Sequence, residues 1–177
     1  MRKIWIFSIL MIMLFMMSGC SQKAKPVAID EKNDKCDTCH MEVGNNSFAT
    51  ELVLKNGKTL KFDDIGCMYA WVNEHKKEKI NTMFVRDYKT SAWLEADSAT
   101  YVYDKNIHTP MAYNVISFQD EKAAKRFIQN NGGTLLTYDQ LAHHTWERNK
   151  EMMMKMKHKK MKHGKKEMNK HDNHMGN

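Results

Sequence analysis

Residues 51–64, ELVLKNGKTLKFDD, alternate apolar and polar side chains on either side of Asn56-Gly57. A period of two marks a strand with one buried face, and Asn-Gly suits the tight turn between antiparallel strands. The stretch therefore predicts two strands joined as a hairpin. Asp63 or Asp64 stands where a helix N-cap belongs, and the next residues place Ile65, Met68 and Val72 on one face with Tyr69 and Trp71 flanking. A further strand is expected over 82–88, TMFVRDY.

The same order recurs downstream. ATYVYD (99–104) alternates as a strand, the loop KNIHTPMAY follows, and VISF (115–118) reads as a second strand. Asp120 and Glu121 open a helix through Ala123, Ala124, Phe127 and Ile128, and Asn131-Gly132-Gly133 closes it. TLLTYDQLA (134–142) supplies the closing strand or a strand–helix junction. Both halves read strand, strand, helix, strand. The prediction is an α+β fold of two related ββαβ units packed as one body over 36–146, followed by a disordered tail over 147–177. A body of about 110 residues buries roughly 65% of its unfolded surface, so it has a core without a prosthetic group as filler.

The N-terminus reads as a targeting segment. Arg2 and Lys3 precede an apolar run from Ile4 to Met17, broken only by Ser8. This run is short of the ~20 residues that a span needs and matches a signal peptide over 1–19. Met17-Ser18-Gly19-Cys20 resembles a bacterial lipoprotein cleavage box, which implies lipidation at Cys20 and an extracytoplasmic body anchored to the membrane, not through it. Residues 20–35 are polar, contain Pro26, and read as a flexible tether.

The net charge of +7 is concentrated at the other end, where residues 147–177 hold 10 Lys+Arg against 4 Asp+Glu. The body is close to neutral, so no basic nucleic-acid face is expected. The tail also holds seven Met and four His, where a merely solvated segment would favour Ser, Glu or Gln. It reads either as a solvated basic stretch, on anionic lipid or free, or as a copper-capturing segment. The capturing groups would be Met152, Met153, Met154, Met156, His158, Met161, His163, His171 and His174.

Cysteine carries the chemical signal. Cys36, Cys39 and Cys67 are the side-chain thiols left after processing, and an odd number in an oxidising compartment leaves at least one unpaired, which points to a bound metal. CDTCHM (36–41) contains C-x-x-C-H, the spacing of c-type haem attachment, while C-x-x-C alone also serves zinc sites and thiol–disulfide exchange. Haem is disfavoured by the turn at Gly44-Asn45-Asn46 and the strand-rich body. A thioredoxin-like site needs a strand before the motif and a helix after it, and here a charged linker precedes. Zinc lacks a closing pair, since Cys67 leaves only His75 or His108 to complete it. Cu(I) takes thiolate and thioether together. Cys39 and Met41 would share a face of an extended segment, and Met111, fixed in a loop by Thr109-Pro110, can approach them.

CDTCHM (36–41), FDDIGCM (62–68) and TPMAY (109–113), in that order behind a lipoprotein signal, resemble the NosL family of copper-binding lipoproteins over residues 34–142. The resemblance implies two related strand-strand-helix-strand subdomains. It also implies one Cu(I), delivered to nitrous-oxide reductase while that enzyme's copper centres are assembled, in concert with a membrane ABC-type complex. Cys39, Met41 and Met111 fall on the ligand positions, with Cys36 as an auxiliary thiol; His40, Cys67, Met68 and His108 are secondary candidates. His40 stands where many relatives have a small residue, and the Met/His tail is not a general family feature; both admit a changed site or a second copper load. No general base or activated nucleophile is legible, so the reading is a carrier and not an enzyme. Its rivals are a copper-buffering lipoprotein working through the tail and a thiol reductant using Cys36 and Cys39.

Overall fold

The computed structural model describes residues 24–172, except for the side chains of residue 160 and residues 163–172. The signal peptide, Cys20, His174 and the side chains of His163 and His171 lie outside that description. Strands β1 (Thr50–Leu54) and β2 (Thr59–Phe62) pair antiparallel, Thr50 opposite Phe62. Gly57 closes the turn between them at φ 87°, a left-handed conformation that glycine adopts without strain. Helix α1 (Ile65–Glu74) follows, then β3 (Ile80–Arg86) and β4 (Trp93–Glu95), giving a sheet in the order β2-β1-β3-β4.

The second unit runs β5 (Thr100–Tyr103), β6 (Val115–Phe118), α2 (Glu121–Asn131) and β7 (Thr134–Leu136), with its sheet in the order β6-β5-β7. Each unit thus places its first strand between its second and third, all antiparallel. The repeat extends to side chains. Phe62 and Phe118, both fully buried, each precede by two residues the aspartate that caps the following helix. Asp64 accepts from the Cys67 N–H and Asp120 from the Ala123 N–H, satisfying groups that a helix start leaves open. The two expected ββαβ units are therefore present, with β4 as an addition that the sequence reading did not include.

Period-two alternation divides the second sheet between two cores. Tyr101 and Val115 face the main core, shared with Leu52, Leu60, Phe62 and Met68, while Val102, Ile116 and Phe118 pack with Ala124, Phe127 and Ile128 of α2. Each such large side chain contributes about 1.5–3 kcal/mol by leaving water.

The two sheets are joined at the end of β3. Asp87 forms a parallel bridge with Ser117, the Tyr88 N–H donates to the Ser117 carbonyl at 2.8 Å, and Ser117 Oγ donates to the Arg86 carbonyl at 2.7 Å. The buried Asp87 carboxylate accepts from the Lys89 and Thr90 N–H groups, from Thr90 Oγ1, and across the junction from the Gln119 N–H at 2.8 Å. Burial opposes its ionisation, but these hydrogen bonds together outweigh it and hold the carboxyl below its ordinary value. A depressed folded-state pKa gives stability that is present above the unfolded value and lost as pH falls through the folded one. Asp87→Ala is expected to cost about 2–3 kcal/mol at pH 7. The gap from the parent should narrow below about pH 4, read from denaturant melts across pH.

Two flanking segments make contacts with the body. The expected flexible tether docks on the first sheet: the Val27 N–H donates to Glu51 Oε2 at 2.7 Å, Ile29 packs on the core, and Lys61 Nζ reaches the Ala28 carbonyl and Asp34 carboxylate. Beyond the short helix α3 (Tyr138–Ala142), the tail expected to be disordered forms helix α4 over Lys150–Asp172. Lys, Met and Glu are good helix formers, Glu151 and Lys155 pair at 2.7 Å, and Met152 is buried with its Sδ accepting from Asn114 Nδ2. Among the described residues no helix is long and apolar enough to cross a membrane.

Candidate metal site

The CDTCHM stretch folds back on itself. The Cys36 N–H donates to the Met41 carbonyl at 2.8 Å and the His40 N–H to the Cys36 carbonyl at 2.9 Å, with Lys35 and Glu42 bridged at the base. His40 takes φ 61°, which ends the turn and leaves its side chain exposed. The knuckle is stitched to the edge of β2 by the Asp37 N–H to the Lys61 carbonyl, and to α1 by Thr38 Oγ1 to the Cys67 carbonyl at 2.8 Å. Cys36 and Cys39 are thereby brought to the first turn of α1, where Cys67 projects. The sulfurs of Cys36, Cys39 and Cys67 lie within 4.8 Å of one another. Cys36 and Cys67 are buried, and only Cys39 reaches the surface.

The three thiols share their protons unequally. The Cys39 and Cys67 thiols beside it favour a Cys36 thiolate, burial opposes it, and the N–H groups of Cys39 and Asp63 add their hydrogen bonds, so Cys36 sits far below the ordinary thiol range. Beside that anion Cys39 is pushed up to about 11 and Cys67 higher still. Asp63 is pushed up to about 7, by burial first and then by the charges of Asp64 and Cys36, and its Oδ1 is buried without a hydrogen-bond partner. The result is an enclosed, sulfur-rich corner in which negative charge is favoured on one sulfur at a time.

The second unit closes this corner through its long β5–β6 loop. Thr109 Oγ1 accepts from the Tyr113 and Asn114 N–H groups, and Ala112 and Asn114 take left-handed φ values of 61° and 63°. Asp64 ties the loop to the cysteines: Oδ1 accepts from the Cys67 N–H and Oδ2 from the Met111 N–H, both at 3.0 Å. Burial pushes this carboxyl upward despite those bonds. Tyr113 lies so close over α1 that a Cβ on Gly66 would come within 2.0 Å of its ring, so the loop reaches the helix only because residue 66 has no side chain. Arg148 then covers Met111, donating from Nε to its carbonyl at 3.0 Å and approaching its Sδ at 3.8 Å, while Trp146 stacks on Tyr69.

The expected site residues therefore separate. Cys36, Cys39 and Cys67 converge, and Met111, half-buried, packs against the same core cluster. Met41 leaves the knuckle half-exposed, Met68 is fully buried in the main core, and His108 is exposed near Lys105, Asn149 and Met152. The positioning role of Asp64 was absent from the sequence reading, which recognised only a cap at 63 or 64.

Three converging thiols on a two-unit ββαβ body make up a sulfur-ligand site suited to soft metal ions. The chain belongs to the NosL family, whose model matches residues 26–146. It is 23% identical over 145 residues to the copper-binding lipoprotein NosL of Stutzerimonas stutzeri, covering 73% of this chain and 76% of that protein. Its fold matches the crystal structure of the copper chaperone NosL from Shewanella denitrificans with a TM-score of 0.58 at 22% identity, over 65% of this chain and 93% of the other.

Proposed function

We propose that the chain is a Cu(I) metallochaperone, anchored by lipid at Cys20 on the extracytoplasmic side. Its recipient is a cuproenzyme, nitrous-oxide reductase, matured beside a membrane ABC-type complex. The observation that carries the reading is the triad of sulfurs within 4.8 Å, one of them only partly buried, with the Met111 backbone N–H held by the carboxylate that also holds the Cys67 N–H. Thiolate and thioether are soft donors that favour Cu(I) over the harder ions of oxygen-rich sites. The names of the two relatives agree with copper as cargo.

The geometry suits transfer better than storage. Cys36 and Cys67 are fixed by backbone bonds and enclosed, so they provide a rigid half of the site; Cys39 is only partly buried and is the one placed to exchange ligands with a partner. A dithiol reductant would need only two sulfurs, whereas a third converges here. A lipid anchor would confine carrier and recipient to one surface and raise their encounter by effective concentration. Catalysis of a chemical step is not part of this role.

X-ray absorption on the Cu(I)-loaded protein, followed by incubation with copper-free nitrous-oxide reductase, tests both halves. A sulfur-dominated shell and copper passing to the enzyme without escape to a chelator are the expected results. A shell of nitrogen and oxygen alone would overturn the site, and retention of copper by the carrier would overturn the delivery.

A further inference from the structure

The methionines of α4 fall into two groups. Met152 is 6% exposed and anchors the helix on Asn114, whereas Met154 and Met161 are 59% and 51% exposed and bury no core. Among the described residues the exposed large apolar side chains are Val27, Met41, Met154 and Met161, so three of the four carry a thioether. His158 lies between the two outward methionines. Residues 154, 158 and 161 are spaced i, i+4 and i+7, which puts them within about 60° of arc on one helical face, with neighbouring Cβ atoms ~5–6 Å apart.

The ring of His158 is already oriented. Its Nδ1 lies 3.0 Å from the Met154 carbonyl, which can only accept, so Nδ1 is the donor and Nε2 is the ring nitrogen left to face a metal. Met154 and His158 line one shallow groove, flanked by Lys155, Lys159 and Lys162. The carboxylate in that groove, Glu151, is engaged with Lys155 at 2.7 Å. Two thioethers and one imidazole are neutral donors for a soft ion. The lysine field repels a divalent ion twice as strongly as a monovalent one, and no free carboxylate in the groove compensates.

The geometry points to a second soft-metal site on α4, formed by Met154, His158 and Met161, that binds Cu(I) separately from the cysteine triad. Lacking a thiolate, it holds the ion more weakly and serves as a surface loading point. This goes beyond the carrier reading and does not depend on it, because its donors are all outside the body.

The test is a titration of the full chain with Cu(I), kept reduced by ascorbate under nitrogen, with the methionine methyl groups and histidine rings followed by NMR. The Met154 and Met161 methyls and the His158 ring should move together in a weaker second step, after the first equivalent is bound. In Met154→Leu/Met161→Leu, which keeps the apolar surface and the helix but removes the sulfurs, the second step should weaken on the order of tenfold or more. A second step unchanged in that variant, or confined to Met and His beyond residue 162, overturns the proposal. So does a response of these methyls to anionic phospholipid vesicles but not to Cu(I), which would make the face a lipid contact. Failure of the first step alone would count against the triad and leave the α4 site standing.

Discussion

Cys67→Ser is expected to lower Cu(I) affinity by roughly a hundredfold or more, beyond the ~10–100-fold that losing a partner around a metal ligand costs. A serine oxygen fits the space of the sulfur but is a hard donor, and the substitution removes one of three atoms that converge within 4.8 Å. The cap on α1 survives, because the capping bond to Asp64 Oδ1 comes from the backbone N–H of residue 67. Competition against a Cu(I) chelator reads the loss, and far-ultraviolet circular dichroism should show the helices retained. Met41→Leu is the informative control. Its side chain stands half-exposed at the knuckle, and its replacement should cost much less than Cys67→Ser. The reverse ranking would shift the site from the triad towards the Cys39–Met41 pair that the spacing suggested.

Asp64→Ala is expected to lower stability and binding together. The substitution removes the α1 cap, worth about 0.5–2 kcal/mol. It also strands the Met111 N–H, for a further ~1–3 kcal/mol. Together these should lower Tm by roughly 10 °C. The same change releases both Cys67 and the Met111 loop, so Cu(I) affinity should fall by about 10–100-fold although no sulfur is lost. Asp64→Asn separates the roles: its amide oxygen can still accept from Cys67, while its NH2 group faces the Met111 donor. Stability should recover in part and affinity less. Equal recovery of both would mean that Asp64 acts on the helix alone.

What the sequence revealed was local. The Asn56-Gly57 turn, the aspartate caps, the alternation in 99–104 and the glycines closing α2 each depend on a few adjacent residues, and each appears as expected. What it concealed was nonlocal. Cys67 sits in the first turn of a helix, and no periodicity says that a knuckle some thirty residues earlier will fold against that turn; the useful hint was the odd third thiol itself. The double duty of Asp64 depends on a loop 47 residues away. At both ends of the body, polar residues such as Lys61 and Asn114 hydrogen-bond to the flanking segments, contacts that composition alone does not predict.

The burial gradient across the triad sets a sequence of events for any ion that passes through it. Two sulfurs are sealed behind the knuckle and the helix, and the third stands at the edge. Arrival and departure would then share the least enclosed edge, with the Cys39 sulfur met first on the way in and left last on the way out. A recipient whose own donors cannot approach that edge would leave the cargo in place, however strongly it attracted the free ion.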